Sequence, residues 1–360
     1  MKKKIFCLLL CLMLLPCTVL ADGGASGDAD AMLQQTAAEN SALMILQTGD
    51  INGCMDEADG AIGMPKLGGL MTQQTEACTT LLLDSGNALG DDPEKMLKLM
   101  GAVGYHAAAI GTRDAALGKE ALQELAAKSS FPLLCANWLR QDGELYFEPY
   151  TILDIGSARI GVIGLISPEI AETYPELTAG DNVYDPAALA NIYREEMDEQ
   201  GCTFYIALTS LGMDSSYTPR DLAAGAPWLG LIYDSNTGDT VLDLGEAIEK
   251  TNSIVFNQKP GFTSINELQL MPGSDGVAMF YPYLVSTGDF ASIKPSAAVQ
   301  EVLNTDYSVT VEQAADGNGT VTTTSSGTAR NPKLVLILSF LAVCGVTAAI
   351  ITLMMKKKKK

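Results

Sequence analysis

Short apolar runs alternate with helix-like segments over most of this 360-residue chain, and this alternation restricts the fold more than any other feature. Residues 43–46 and 80–83 are mostly apolar, and each run is followed by a turn rich in Gly, Asp and Asn. Residues 92–103 and 117–127 instead carry apolar side chains at helical spacing. Buried strands that alternate with amphipathic helices predict an α/β layered domain.

Further apolar runs extend this pattern beyond residue 250. We predict strands at residues 131–136, 151–155, 159–165, 204–208, 229–232 and 253–256. In α/β folds the loops at the carboxyl ends of the strands carry most functional side chains. We therefore expect the functional residues of this chain in those loops.

The two ends of the chain have the composition of an export signal and a membrane anchor. Residues 1–21 combine three lysines, an apolar run and a small-residue end, which predicts a secretory signal peptide. Residues 334–355 contain no charge and would span roughly 33 Å as a helix, enough to cross a bilayer. The five lysines at residues 356–360 favour a cytoplasmic tail. We therefore predict a single-pass protein of the cell membrane with its larger part outside.

Composition divides the exported part further. We assign residues 22–41 to a leader, residues 42–295 to the α/β domain, and residues 296–333 to a stalk rich in Thr, Ser, Gly and Ala. Without the eight lysines of the two ends, 15 basic residues remain against 43 acidic ones, a net charge of −28. This charge excludes nucleic acid as an expected partner, because phosphate backbones select Lys and Arg.

The chain contains one histidine, His106, which excludes a histidine-rich metal centre. It lies at the start of a predicted strand, away from the loops, so we predict a structural role for it. The predicted domain has four cysteines at spacings too wide for a Cys-x-x-Cys zinc site: Cys54, Cys78, Cys135 and Cys202. These cysteines could form disulfides or remain buried free thiols, and the sequence does not decide between the two.

Four segments occur in a fixed order: residues 82–86 (LLDSG), 100–105 (MGAVGY), 131–137 (FPLLCAN) and 160–165 (IGVIGL). At these segments the chain resembles the 5′-nucleotidase branch of the calcineurin-like metallophosphoesterases. The resemblance covers roughly residues 42–271 and implies a layered β-sandwich flanked by helices. It also implies phosphoester hydrolysis at two metal ions that activate a water. The family usually continues into a nucleoside-binding domain, whereas the predicted stalk follows here.

Most metal positions that the resemblance implies carry another residue in this chain. Asp50 matches the first ligand, and Asn87 stands where the family has a bridging aspartate. The other replaced ligand positions are Asn52, Thr112, Ser210, Asp234 and Asn236. Amide and hydroxyl oxygens suit calcium or magnesium better than zinc, iron or manganese. We predict no cofactor, or at most a divalent cation held by oxygen ligands.

Arg113 stands at the position of the family's catalytic histidine, and Asp114 at the acidic position that follows. One hypothesis is that Arg113 pairs with Asp50, Asp114 or Asp234 and replaces the charge of a metal. The alternative is that Arg113 clamps a phosphate group, because its planar fork matches phosphate oxygens. A single arginine does not generate hydroxide at neutral pH, so we predict loss of the two-metal hydrolysis.

Three functions stay open. We favour a membrane-anchored extracellular protein that keeps the fold, has lost phosphoester hydrolysis, and binds or displays an unidentified protein or small molecule. The first alternative is an active hydrolase of nucleotide-type substrates whose rebuilt oxygen-ligand site uses Asp50, Asn87, Asp234 and Asn236. The second alternative is a subunit of a cell-envelope assembly.

Overall fold

The computed structural model describes residues 43–305, apart from residues 156–157, 243, 258 and 273–277. The predicted signal peptide, leader, transmembrane span and lysine tail all lie outside the described residues. Within residues 43–305 no helix combines the length and the apolar character that a membrane span requires.

Two six-stranded sheets form the centre of the domain. The first contains β1 (Leu43–Thr48), β2 (Thr79–Asp84), β3 (Ala107–Ala109), β4 (Leu133–Leu134), β13 (Ser264–Pro272) and β14 (Ala278–Ser286), in the order β14-β13-β1-β2-β3-β4. The second contains β6 (Tyr150–Ile155), β7 (Ala158–Ile166), β9 (Phe204–Ser210), β10 (Leu231–Asp234), β11 (Glu246–Ala247) and β12 (Ile254–Phe256), in the order β11-β12-β10-β9-β7-β6. A separate antiparallel pair joins β5 (Trp138–Leu139) to β8 (Asn182–Val183).

Four neighbouring strands of each sheet are parallel. In the first sheet these are β1 to β4, and in the second they are β7, β9, β10 and β12. Antiparallel strands adjoin them on one side in the first sheet, where β4 forms the other edge, and on both sides in the second. Because parallel strands end at the same side of a sheet, the loops that follow β1, β2, β3, β9 and β10 can meet.

Strand alternation divides the apolar side chains between two kinds of layer. Ile45 of β1 and Leu83 of β2 belong to the core between the two sheets, together with Val162 and Leu208 of the second sheet. Leu46, the next residue of β1, packs with the helices on the outer side. Strands that are buried on both faces read as continuous apolar runs, which is why they were detectable in the sequence.

Seven α-helices in the described part of the chain accompany the sheets: α1 (Met64–Ala77), α2 (Pro93–Val103), α3 (Lys119–Lys128), α4 (Ile170–Thr173), α5 (Pro186–Glu199), α6 (Pro219–Gly225) and α7 (Ala297–Asn304). Buried residues of α1, α2, α3 and α7 share one core cluster with the first sheet. Those of α5 and α6 share another with the second sheet. The predicted α/β layered fold is confirmed.

Helix starts follow local sequence signals. Asp92, Asp185 and Thr218 each accept a hydrogen bond from a backbone N–H three residues further on, and each is followed by a proline. A polar side chain at this position satisfies an N–H that the helix itself leaves unpaired, and proline fits the first turn because it has no N–H to satisfy. The predicted helix over residues 92–103 therefore begins at Pro93, beside its cap.

The predicted start of the stalk at residue 296 is wrong. Helix α7 packs against α1 and α2, and its Val299 is 1% exposed. Gly69 of α1 permits this approach, because a Cβ at that residue would lie 2.0 Å from the carbonyl oxygen of Lys294. Ser296 N donates to Pro65 O at 2.7 Å. The folded domain therefore extends at least to Asn304.

Tyr233 of β10 offers a test of packing between the sheets. Its side chain is fully buried, and its hydroxyl has no hydrogen-bond partner within the described residues. We expect Tyr233→Phe to raise the free energy of unfolding by about 1 kcal/mol, because an unpaired buried hydroxyl is costly. The hydroxyl of Tyr105, by contrast, lies 2.8 Å from Thr48 Oγ1. Urea denaturation should show the opposite sign for Tyr105→Phe, and destabilisation by both variants would contradict this account.

Candidate functional site

Five loops meet where the parallel strands end, at residues 49–53, 85–90, 110–114, 211–215 and 235–237. The first two loops are joined by hydrogen bonds from Asp50 N to Gly86 O (3.0 Å) and from Asn52 N to Asn87 O (2.8 Å). Gly111 allows the third loop to touch the second, because a Cβ there would lie 2.2 Å from Asn87 N. The loops at the carboxyl ends of these strands therefore lie together.

Asp50 lies at the centre of this cluster and is 1% exposed. Its Oδ1 accepts hydrogen bonds from Asn87 Nδ2 (2.7 Å) and from the backbone N–H of Asn236 (3.0 Å). Its Oδ2 accepts from the backbone N–H of Thr237 (2.7 Å). Three uncharged donors thus bond to the carboxylate of Asp50, and they lie in loops that follow strands of both sheets.

Asn87 connects Asp50 to the loop that carries Arg113. Its Nδ2 donates to Asp50, and its Oδ1 accepts from Arg113 N at 2.8 Å. An amide can donate on one side and accept on the other, whereas a carboxylate at this position would place two anionic groups in contact. The asparagine therefore suits a site in which no cation lies between these side chains.

Four of the site residues have left-handed backbone conformations: Asp50 (φ 49°), Asn52 (φ 53°), Asn87 (φ 61°) and Asn236 (φ 62°). Asn and Asp tolerate this region better than other residues with a Cβ. Three of the replaced ligand positions therefore carry the residue type that best maintains such a backbone.

Asp114 holds two loops together from a buried position. Its Oδ2 accepts from Asn87 N and Gly111 N, both at 2.9 Å, and its Oδ1 accepts from Leu89 N at 3.1 Å. Burial raises the pKa of Asp114 to about 6, although these backbone donors act in the opposite direction. The side chain is a loop organiser, because both of its oxygens are occupied.

Asp234 holds a loop of the second sheet in place in the same way. Its Oδ1 accepts from Thr209 Oγ1 (2.7 Å) and Leu211 N (2.9 Å), and its Oδ2 accepts from Gly212 N (3.0 Å). Burial raises the pKa of Asp234 to about 7 against the effect of these hydrogen bonds. The carboxyl group faces its own loop and does not contact Asp50 through a hydrogen bond.

Thr112 and Ser210 join the two sheets directly. Thr112 N donates to Ser210 Oγ at 2.9 Å, and Thr112 Oγ1 donates to Ser210 O at 2.8 Å. Both residues are buried. Their polar groups therefore satisfy each other.

The hypothesis that Arg113 pairs with an aspartate of the site is wrong. Its side chain is exposed, and Nη1 contacts Asn52 Oδ1 at 3.3 Å. None of the ion pairs in the described part of the chain includes Arg113. The amide of Asn87 and two backbone N–H groups donate hydrogen bonds to Asp50 instead, and the guanidinium lies at the rim of the cluster.

Sequence inspection did not identify the backbone donors at Asn236 and Thr237, because every residue except proline carries an N–H group. Nor did it identify Thr209, which holds Asp234. The predicted structural role of His106 is supported, since its Nδ1 accepts from Leu82 N at 3.1 Å at the far end of β3. Burial also lowers the pKa of His106.

Two cysteines of the domain, Cys135 and Cys202, are buried free thiols within the described residues. Burial raises the pKa of Cys135 to about 12, so its thiol is a packing group.

No protein-family model matches the chain. Among curated proteins it is similar to a 5′-nucleotidase of Vibrio cholerae, with 29% identity over 66% of this chain and 46% of the relative. It is also similar to the snake venom 5′-nucleotidase of Gloydius brevicauda, with 27% identity over 70% of this chain and 42% of the relative. The chain thus spans about half the length of these relatives.

Solved structures agree on the fold. The calcineurin-like phosphoesterase YfkN of Bacillus subtilis matches 73% of this chain and 96% of its own, with a TM-score of 0.62 and 19% identity. A 5′-nucleotidase precursor of Thermus thermophilus matches 73% of this chain and 57% of its own, with a TM-score of 0.59 and 18% identity. The chain is similar in sequence and in fold to the metallophosphoesterase 5′-nucleotidase family. The predicted resemblance is confirmed.

The two metal ions implied by the resemblance to the 5′-nucleotidase family do not fit the donor groups of this chain. Both oxygens of Asp50 and both oxygens of Asp234 already accept hydrogen bonds from loop N–H or O–H groups. The amide nitrogen of Asn87 faces Asp50 where the family's bridging carboxylate would face the metals. Within the described residues no three His, Cys, Asp or Glu side chains are grouped as metal ligands. Two dications need several anionic or imidazole donors to offset their mutual repulsion.

The raised pKa of Asp234 predicts a pH dependence of stability. The unfolded carboxyl group releases its proton near pH 3.8, whereas the folded one keeps it to about pH 7. Its contribution to stability is therefore complete below the unfolded pKa and is lost as the pH rises through the folded pKa. Relative to Asp234→Asn, the free energy of unfolding should fall with a slope of at most about 1.4 kcal/mol per pH unit.

Urea denaturation of both proteins at several pH values between about 4 and 8 checks this slope. The control is Asp91→Asn, which changes an exposed aspartate in the loop between β2 and α2 and should show no such difference. A free energy of unfolding that rises over this range relative to Asp234→Asn would contradict the account.

Proposed function

We propose that this protein is a non-hydrolytic member of the 5′-nucleotidase family that acts as a binding or display module on the outside of a cell membrane. The observation that carries the proposal is the occupation of Asp50 by Asn87 and by the backbone N–H groups of residues 236 and 237. In the two-metal mechanism the protein must hold cations that turn water into hydroxide. In this chain, hydrogen-bond donors of the protein contact Asp50 where the mechanism would require a cation.

Electrostatics limits what the module binds. The net charge of −28 over the exported part favours neutral or cationic partners at long range and disfavours free nucleotides. Arg113 remains as a local exception at the rim, where it can contact one anionic group of a partner. The partner is an unidentified protein or small molecule, and the C-terminal segment at residues 334–355 supplies the proposed anchor.

An active phosphoester hydrolase is the rival function, and the activity for which the relatives are named favours it. The full chain, purified in detergent, would be incubated with adenosine 5′-monophosphate and manganese, calcium or zinc. We expect phosphate release at the rate of the protein-free blank.

Turnover that a chelator abolishes, and that Asp50→Ala removes while Asp91→Ala does not, would overturn the proposal. The chelator arm is needed because Asp50→Ala also removes an acceptor shared by three loop donors. Asp91 is the matched control, since it is an exposed aspartate in the neighbouring loop.

A further inference from the structure

In the described part of the chain, β14 is the sheet edge with the greatest capacity to pair with a strand of another molecule. The edge strands β4 and β11 have only two residues each. The edge strand β6 carries Asp154, which pairs with Arg159 at 2.6 Å, and a charge on an edge disfavours a further strand. β14 has nine residues, AMFYPYLVS, and none of them is charged. A long uncharged edge is a template for strand addition unless another feature blocks it.

The hydrogen bonds between β13 and β14 determine which backbone groups of β14 face away from the sheet. Thr287 N donates to Thr263 O at 3.1 Å, and the pairing continues from there without interruption along the whole of β14. In an antiparallel pair, residues that bond to the partner strand alternate with residues whose N–H and C=O point outward. The odd-numbered residues of β14 therefore bond to β13, and the even-numbered residues present their backbone groups to the free edge.

Pro282 occupies one of these outward positions in the middle of β14. Proline has no N–H group, so a strand placed against β14 would meet no donor there. At an odd-numbered position the same residue would remove a hydrogen bond to β13 instead. The position of Pro282 therefore leaves the sheet intact and removes a donor from its free edge.

A side chain blocks the last outward position of β14. Ser286 N donates to Asp289 Oδ2 at 3.0 Å, and Ser286 Oγ donates to the same oxygen at 2.9 Å. A strand that paired here would bring a backbone carbonyl toward this carboxylate and would have to displace it. Within residues 282–286, Leu284 N therefore remains as the one outward donor.

We propose that Pro282 and Asp289 together keep the free edge of β14 from pairing with a strand of a second copy of the chain. Such protection matters most where many copies stand side by side, as the proposed membrane anchor would place them. Edge-to-edge pairing would join neighbouring domains into aggregates. This inference does not depend on whether the protein hydrolyses phosphoesters.

Hydrogen exchange at single-residue resolution, on the full chain in detergent, tests the arrangement of this edge. Tyr283 N and Val285 N face β13, so we expect Leu284 N to exchange at least about tenfold faster than either of them. Equal protection of all three amides in the unmodified chain would overturn the proposal, because another strand or segment would then already cover the edge.

Sedimentation of the full chain in detergent at increasing concentration tests the block itself. We expect Pro282→Thr combined with Asp289→Ala to lower the dissociation constant for self-association at least about tenfold, because two donors return to each edge. Leu284 N should then become protected as the concentration rises. Pro175→Thr, which changes an exposed proline in the loop between α4 and β8, is the control and should associate no more than the unmodified chain.

A third substitution tests whether this association uses β14. Adding Leu284→Pro should return the double variant to the behaviour of the unmodified chain, because it removes an outward donor without the loss of a bond to β13. The proposal fails if the double variant associates no more strongly than the unmodified chain, or if Leu284→Pro leaves its association unchanged. Unchanged exchange of the β1 and β2 amides shows that each variant remains folded.

Discussion

Replacing Asp114 by alanine should lower the free energy of unfolding by about 4 kcal/mol at neutral pH. The carboxyl group accepts hydrogen bonds from the backbone N–H groups of Asn87, Leu89 and Gly111. Alanine leaves these donors without a partner in a region where Asp114 itself is only 5% exposed. Each unpaired buried donor costs about 1–3 kcal/mol, and water that enters the vacated space recovers part of this.

Urea denaturation of Asp114→Ala, with Asp91→Ala as the exposed control, measures this effect. The control should stay within about 0.5 kcal/mol of the unmodified chain. Asp114→Asn should fall between the two, because its oxygen still accepts while its NH₂ group faces a donor. A loss below about 1 kcal/mol for Asp114→Ala would show that the loops are held by other contacts.

Gly111→Ala should be comparably destabilising, by at least about 3 kcal/mol. The added methyl group would lie 2.2 Å from both the backbone nitrogen and the side-chain oxygen of Asn87. The second loop would have to move, and the hydrogen bond from Asn87 to Asp50 would lengthen with it. The effect is steric, since Gly111 does not have a positive φ.

Gly288→Ala provides the matched control for this substitution. Gly288 has a helical backbone (φ −64°), and a Cβ there would meet its nearest neighbour at an ordinary 3.8 Å. Thermal or urea denaturation should therefore separate the two variants clearly. Equal stability of Gly111→Ala and Gly288→Ala would contradict the close contact of the second and third loops.

The sequence predicted the fold well where burial on both faces made the strands apolar throughout. The runs at residues 43–46 and 80–83 correspond to β1 and β2, which are one or two residues longer at their ends. Strands β13 and β14 were not predicted. The strand predicted at residues 131–136 is another exception, because only Leu133–Leu134 pairs in the first sheet. Cys135 N and Ala136 N donate to Glu148 O and Gly164 O instead, so the chain turns toward the second sheet. No local pattern encodes that change of partner.

The sequence predicted which residues form the candidate site, but it did not predict which of their side chains contact one another. Loop position and family resemblance identified Asp50 and Asn87, which the structure brings within 2.7 Å. They did not indicate that Arg113 would point to the rim, because charge alone favours a pair with Asp50. Backbone N–H groups donate hydrogen bonds to that carboxylate, and a sequence does not show where backbone donors point.

Metal content of the full chain tests the central claim most directly. The protein would be equilibrated with manganese, zinc or calcium, dialysed, and analysed for bound metal, with calorimetric titration as an independent readout. The account predicts no metal above the protein-free dialysate and no heat of site-specific binding, because the donors around Asp50 are satisfied by one another. Retention of about two ions per chain, lost in Asp50→Ala but not in Asp91→Ala, would contradict it.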